Sequence, residues 1–137
     1  MIPAENQTVA RKCVLIVEDD PLSMKVVSAI IAAQGYHVLQ AMDGARGFEL
    51  ARREHPDLII TDVQMPGISG FEVSHRLKAD EATRDILIIV TTAYMLDETE
   101  IRASGCDGFM AKPITISEFL ELLETIMRMP RAARDID

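Results

Sequence analysis

An α/β fold on a parallel sheet follows from three observations. Short runs rich in Val, Ile and Leu alternate five times with stretches of helical period, the pattern of repeated strand–helix units. Three of those runs are apolar almost throughout, as strands covered on both faces must be. The chain has 137 residues, 48% of them hydrophobic, which is the size of one domain with enough apolar material to fill a core.

The elements follow in order. A first strand spans Cys13 to Glu18, and Asp20-Pro21 then opens a helix, an acidic cap followed by proline at a tolerated first-turn position. Leu22, Val26, Ile30 and Ala33 form one stripe of that helix, and Gly35 closes it. The second strand is Tyr36 to Ala41 and the second helix Ala45 to Glu54. The third strand, Asp57 to Asp62, leads through a Pro66-Gly67 turn to a helix over Gly70 to Ala79. The fourth strand is Ile86 to Thr91, with a helix over Asp97 to Ser104. The last strand, Gly108 to Ala111, precedes a helix over Ser117 to Arg128, with Ser117 as its N-cap and Phe119, Leu122, Leu123 and Ile126 on one face. Residues 12–129 form the expected domain, flanked by polar tails over residues 1–11 and 130–137.

Charge gathers where strands end. Cys13 to Val17 stops at Glu18-Asp19-Asp20, Leu58 to Thr61 at Asp62, and Phe109 to Ala111 at Lys112-Pro113. Neighbouring parallel strands lie about 4.8 Å apart, so charges at their carboxyl ends converge on one small site. Such edges are where open α/β sheets bind ligands. Packed carboxylates repel, and a hard cation with oxygen ligands is the simplest relief. A lysine beside them supplies a compact positive charge for an anionic group. The combination reads as a metal-dependent phosphoryl site, with Asp20 reserved for capping the helix that follows.

Composition narrows the function further. A net charge of −8 argues against a surface that tracks nucleic-acid phosphates, which needs clustered lysine and arginine. Cys13 and Cys106 lack metal or redox spacing and read as reduced thiols. No apolar stretch approaches the roughly 20 residues that span a bilayer, and Met1 to Lys12 lacks the apolar core of a signal peptide, so the expected location is the cytoplasm, away from membrane. His37, His55 and His75 are scattered along the chain without the spacing of a metal site or phosphocarrier, and read as surface or satisfied histidines.

The segments VLIVEDD, DLIITDVQMPGISG, IIVTTA and GFMAKPI, in this order and spacing, resemble the receiver domains of bacterial two-component response regulators. The resemblance runs from about Cys13 to Arg128. It implies a five-stranded parallel sheet in the order 2-1-3-4-5 with five helices, the doubly wound flavodoxin-like arrangement. Within the family, AQGYHVLQA, ISGFEVSHRLKAD and GCDGFMAKPITISEFLE look most like the single-domain DivK type, which relays cell-cycle phosphorylation to kinases and adaptors.

Carried over by position, the resemblance makes Asp62 the phosphoacceptor and Glu18 with Asp19 the acidic pair that binds Mg²⁺, Glu18 through water. The backbone carbonyl of Gln64 adds a metal ligand, Thr92 matches the switch hydroxyl, and Lys112 the lysine that contacts the phosphoryl group. Phe109 takes the aromatic switch position, where relatives often carry tyrosine, and Lys112-Pro113 would be the family's cis peptide. The physical roles agree, because a carboxylate attacks phosphorus while cations stabilise its equatorial oxygens.

The implied function is a phosphorelay switch and not a turnover enzyme. Its partners would be a histidine kinase or histidine phosphotransfer protein and a downstream protein target, with the chain a monomer or weak dimer. No output domain is visible, so it acts through another protein or is the receiver of a larger regulator or hybrid kinase. A competing aspartyl phosphatase reading needs a second aspartate in a D-x-D motif, and Asp62-Val63-Gln64 lacks it. A nucleotide-binding reading fails for want of a phosphate-cradling glycine loop.

Overall fold

The computed structural model describes residues 11–93, 98–112 and 115–128. Its elements run β1 (Cys13–Val17), α1 (Pro21–Ala33), β2 (His37–Ala41), α2 (Gly44–Glu54), β3 (Leu58–Asp62), α3 (Gly70–Ala79), β4 (Leu87–Thr92), α4 (Glu98–Ser104), β5 (Gly108–Ala111) and α5 (Ile116–Met127). The five strands pair in parallel in the order β2-β1-β3-β4-β5. The fold class and strand order match the expectation, with several element ends moved by a residue or two.

Alternation along each buried strand divides the core into two layers. Leu15, Val17, Ile59, Ile88 and Val90 point to one face and pack with Leu50, Val73 and Leu77 of α2 and α3. Val14, Ile16, Leu58, Ile60, Leu87 and Ile89 point to the other and meet Met24 and Ile31 of α1 and Phe119, Leu123 and Ile126 of α5. Burying side chains of this size stabilises by roughly 1.5–3 kcal/mol each before entropy is counted. That two-sided burial explains the near-continuous apolar runs of β1, β3 and β4, and it leaves only the strand ends free to carry charge.

Local chemistry sets the helix starts. The Asp20 carboxylate accepts from the Ser23 backbone N–H at 2.9 Å, and Pro21 follows it in the first turn of α1. Asp43 caps α2 through Arg46 N at 2.8 Å, and Ser69 caps α3 through Glu72 N at 3.2 Å. Gly35 lies just past α1 with φ of 95°, a left-handed conformation that suits glycine. At the far end of α3, Lys78 Nζ donates to Ile86 O at 2.8 Å and pairs with Asp107 at 2.9 Å. The same Asp107 oxygen accepts from Ile88 N at 2.9 Å, which ties α3, β4 and the entry to β5 together.

Two expectations need correction. The cap of α5 is Thr115, whose hydroxyl accepts from Glu118 N at 3.3 Å; Ser117 lies inside the first turn. Both are hydroxyl residues, and the extended backbone at Thr115 (ψ 146°) decides between them. The residues that α1 buries fully are Met24 and Ile31; of the expected stripe Ile30 packs partly against the core, whereas Leu22 stays 69% and Val26 49% exposed and Ala33 is exposed too. This helix is apolar on most of its circumference, so periodicity alone does not choose its buried face. Asp97, expected to begin α4, and Pro113, expected in a cis peptide, lie outside the described residues.

Candidate functional site

Three strand ends build the site. β1 ends at Val17, and the Glu18 N–H still bonds to Ala41 O of β2 at 3.0 Å, so Glu18 is tied to the sheet edge as the chain leaves it. Its side chain turns inward and is nearly buried at 5% exposure, while Asp19 stands more open to solvent. Asp62 is the last residue of β3, 9% exposed and in register with Thr91 of β4. Lys112 follows the last residue of β5, with its backbone N–H bonded to Thr92 O at 2.7 Å. Parallel pairing thus places Glu18, Asp62 and Lys112 at one edge, as charges at strand carboxyl ends predict.

The side chains converge. One carboxylate oxygen from each of Glu18, Asp19 and Asp62 lies within 4.8 Å of the others. Lys112 Nζ reaches Asp62 Oδ2 at 3.3 Å and Glu18 Oε1 at 3.4 Å. The other Glu18 oxygen accepts from the Asp20 N–H at 3.1 Å, which fixes the carboxylate from its far side. Asp20 turns away to its capping bond with Ser23, which holds its carboxyl below the usual range.

Electrostatics follow from that crowding. Burial pushes the Glu18 carboxyl above its ordinary value; the Asp20 N–H and Lys112 pull it down without cancelling the rise, and Asp62 adds to it. For Lys112, burial acts downward on the ammonium, but the charges of Asp62 and then Glu18 outweigh it and hold the amine above the ordinary lysine value. The site is a pocket of concentrated negative charge held in check by one ammonium. Its donors are carboxylate oxygens without thiolate or imidazole, and such a set fits a small hard cation.

The remaining sequence candidates stand around this core. Thr92 ends β4, is fully buried, and is in register with Ala111; Phe109 is half-buried in β5 opposite Val90. They adjoin the four charged groups through the β4–β5 ladder. Gln64 lies two residues past β3 with an exposed side chain. Beside Lys112 an apolar groove of about 320 Å³ opens between α1 and α5, lined by Leu22, Val26, Ile30 and Ile116 among others. Here the exposed residues of α1 find their setting.

Two contacts to Asp62 escaped the sequence reading. The Thr61 hydroxyl donates to the Asp62 carbonyl at 3.0 Å, and Gly70 packs against that same carbonyl. A faint signal existed for the second: glycine in a first helical turn already capped by Ser69 weakens the helix and asks for a reason.

Comparison with known proteins agrees with this geometry. Residues 14–124 match the family model described as response regulator receiver domain. The polar-differentiation response regulators DivK of Brucella ovis and Brucella abortus are 42% identical over 118 residues, covering 85% of this chain and 96% of theirs. Among solved structures, a chemotaxis response regulator of Vibrio cholerae superposes with a TM-score of 0.80 at 28% identity, covering 85% of this chain and 99% of that one. The receiver domain of a sensor histidine kinase from Pseudomonas aeruginosa, solved with a magnesium ion in its active-site cleft, superposes with a TM-score of 0.79 at 28% identity, over 88% of this chain and all of that one.

Proposed function

Because the chain belongs to the response regulator receiver domain family, we propose that it is a phosphoacceptor switch: it takes a phosphoryl group on Asp62 from a protein histidine donor and thereby changes its binding to a downstream protein. The observation that carries this reading is the convergence of Glu18, Asp19 and Asp62 with Lys112 at one sheet edge. A carboxylate that is nearly buried yet reachable, with an ammonium 3.3 Å away, is equipped to attack phosphorus.

In the transfer, an Asp62 carboxylate oxygen forms a bond to phosphorus as the phosphorus–nitrogen bond to the donor imidazole breaks, and the imidazole nitrogen keeps the electron pair. Lys112 stabilises the equatorial oxygens of the moving group. Glu18, Asp19, Asp62 and the Gln64 carbonyl would hold Mg²⁺, which would screen the charge of the incoming phosphoryl group. The acyl phosphate then places new negative charge beside Lys112, and Thr92 and Phe109 carry the response along β4 and β5.

A protein donor is supported by the groove between α1 and α5. Leu22, Val26 and Ile116 are 69%, 49% and 59% exposed there, next to Lys112, and an apolar surface bordering a charged site suits a macromolecular partner. By likeness to the polar-differentiation regulators, the relay served would govern cell polarity or differentiation. Self-phosphorylation and self-dephosphorylation would be slow side reactions of such a switch.

The reading is tested with a small acyl phosphate donor and Mg²⁺. Wild-type protein should gain a hydroxylamine-sensitive phosphoryl adduct by mass spectrometry, and Asp62→Asn should gain none. An adduct at wild-type yield on the variant would exclude Asp62 as acceptor.

A further inference from the structure

The β1–β3 ladder ends at the pair Val17–Thr61, one residue short of Asp62. Beyond that point the Asp62 carbonyl accepts from the Thr61 hydroxyl at 3.0 Å, a buried bond from a residue with no solvent exposure. Thr61 faces the α2–α3 side of the sheet, opposite to Asp62, so its hydroxyl reaches the acceptor's backbone from behind.

Gly70 closes the arrangement. A methyl group built there would lie 2.9 Å from the Asp62 carbonyl carbon, closer still to its oxygen, and 3.1 Å from the Thr61 hydroxyl. These are backbone atoms and a fixed hydroxyl rather than the yielding tip of a flexible chain. The Gly70 N–H also bonds to Val63 O at 2.9 Å, so the start of α3 is fastened to the residue after the acceptor. At the next position the Val63 N–H bonds to Thr91 O of β4 at 2.8 Å. The peptide unit that follows Asp62 is therefore held from two sides, its carbonyl by Thr61 and Gly70 and its N–H by β4.

We propose that Thr61 and Gly70 are positioning residues for the acceptor carboxylate. Resting on the assignment of Asp62 as phosphoacceptor, the inference adds that the carboxylate's place among Glu18, Asp19 and Lys112 is set from behind the strand, by one hydroxyl and one missing side chain. Rotating or tilting the Asp62 peptide unit swings its carboxylate away from the other charges. Misplacement by an ångström is enough to slow a positioned reaction substantially.

Gly70→Ala, Thr61→Val and Thr61→Ser are compared by initial rate of phosphorylation with acetyl phosphate at saturating Mg²⁺. Valine keeps the buried volume and loses the donor; serine keeps the donor. Gly70→Ala and Thr61→Val should label roughly tenfold more slowly or worse, while Thr61→Ser should stay within about threefold of wild type. A second readout needs no metal or phosphate: the ¹³C shifts of the Asp62 carbonyl and carboxyl carbons should move in the alanine and valine variants and return in Thr61→Ser. Ile126→Val trims the core at the far end of α5 and should leave both rate and shifts unchanged, separating positioning from loss of stability.

Wild-type rate and unshifted Asp62 resonances in Thr61→Val overturn the role of Thr61, as does a Thr61→Ser protein as slow as the valine variant. The same result in Gly70→Ala overturns that of Gly70, and if Gly70→Ala fails to fold, the threonine pair decides the inference. If wild-type protein gains no adduct at Asp62, the phosphoacceptor reading fails instead, and the ¹³C shifts still decide whether Thr61 and Gly70 place this carboxylate.

Discussion

Lys112 Nζ stands 3.3 Å from Asp62 Oδ2, joining residues fifty positions apart in sequence, and the same amine lies 3.4 Å from Glu18 Oε1. One ammonium is thus shared between the proposed acceptor and the most buried carboxylate of the site. It holds negative charge together before any phosphoryl group arrives. An acyl phosphate on Asp62 would form within its reach, where a positive charge fixed in a partly dry pocket acts most strongly.

That sharing predicts opposite effects on two measurements. Lys112→Met keeps a long apolar stem and removes the charge. Phosphorylation by acetyl phosphate should slow by about 10²-fold or more, the usual order for losing a charge-stabilising group. Mg²⁺ affinity, followed by amide shift titration, should hold or tighten, since the carboxylates lose a competing cation. Labelling at the wild-type rate would remove Lys112 from the mechanism.

Asp19 and Asp20 are neighbours with different work. Asp19 contributes an oxygen to the three-carboxylate cluster, whereas Asp20 is exposed and caps α1 through Ser23 N at 2.9 Å. Asp19→Ala should weaken Mg²⁺ binding about tenfold or more with little change in stability. Asp20→Ala should leave Mg²⁺ binding close to wild type and lower the Tm, as the loss of an N-cap does. Equal loss of Mg²⁺ affinity in both variants would undo the distinction.

Glu18 gives a pH dependence whose sign is fixed. Burial raises its carboxyl above the ordinary value in the folded protein, so folded chains hold the proton over a pH window where unfolded chains have released it. Stability contributed by this group is present at low pH and lost as pH rises through the raised value. At neutral pH the charged Glu18 is therefore a liability in metal-free protein. Glu18→Gln should raise the Tm in chelator at pH 7 by a few degrees, with the gap closing as pH falls toward the ordinary glutamate value of about 4.3. Adding Mg²⁺ should stabilise wild type more than the variant. A variant less stable than wild type at pH 7 in chelator would show that the Lys112 pair outweighs the burial of Glu18.

Much of this site could be read before folding, because a parallel sheet buried on both faces exposes side chains mainly where its strands end. Glu18, Asp62 and Lys112 each interrupt an apolar run, and the interruption itself marks the strand's carboxyl end. Which face of α1 is buried was not readable, since Met24, Val27, Ile30 and Ile31 compete with Leu22 and Val26 around one helix. Only packing against the sheet, in the cluster that Val14, Ile16 and Phe119 also join, selects Met24 and Ile31. The Lys112–Glu18 pair spans 94 positions and leaves no local trace. Nor does the bond from Thr61 to its neighbour's carbonyl, because threonine fits a strand for its shape alone.

Thr92 is wholly buried at the end of β4, and its carbonyl holds the Lys112 N–H at 2.7 Å, so a shift at Thr92 is felt at once by the lysine that faces Asp62. Phe109 sits one strand over, half-buried and in register with Val90. A movement of the Thr92 hydroxyl toward a phosphoryl group would leave room for that ring, whose phenyl edge has no hydroxyl to hold it at the surface. Two packings separated in this way respond to phosphorylation only through differential interaction with each. Thr92→Ala should therefore still accept phosphate at Asp62 but lose much of the response. Beryllofluoride, standing in for the phosphoryl group, should shift the amide resonances of Phe109 and of α4 over Glu98–Ser104 in wild type, and by less than about half as much in the variant. If the variant shows the full wild-type pattern at Phe109 and across α4, the coupling runs through another residue.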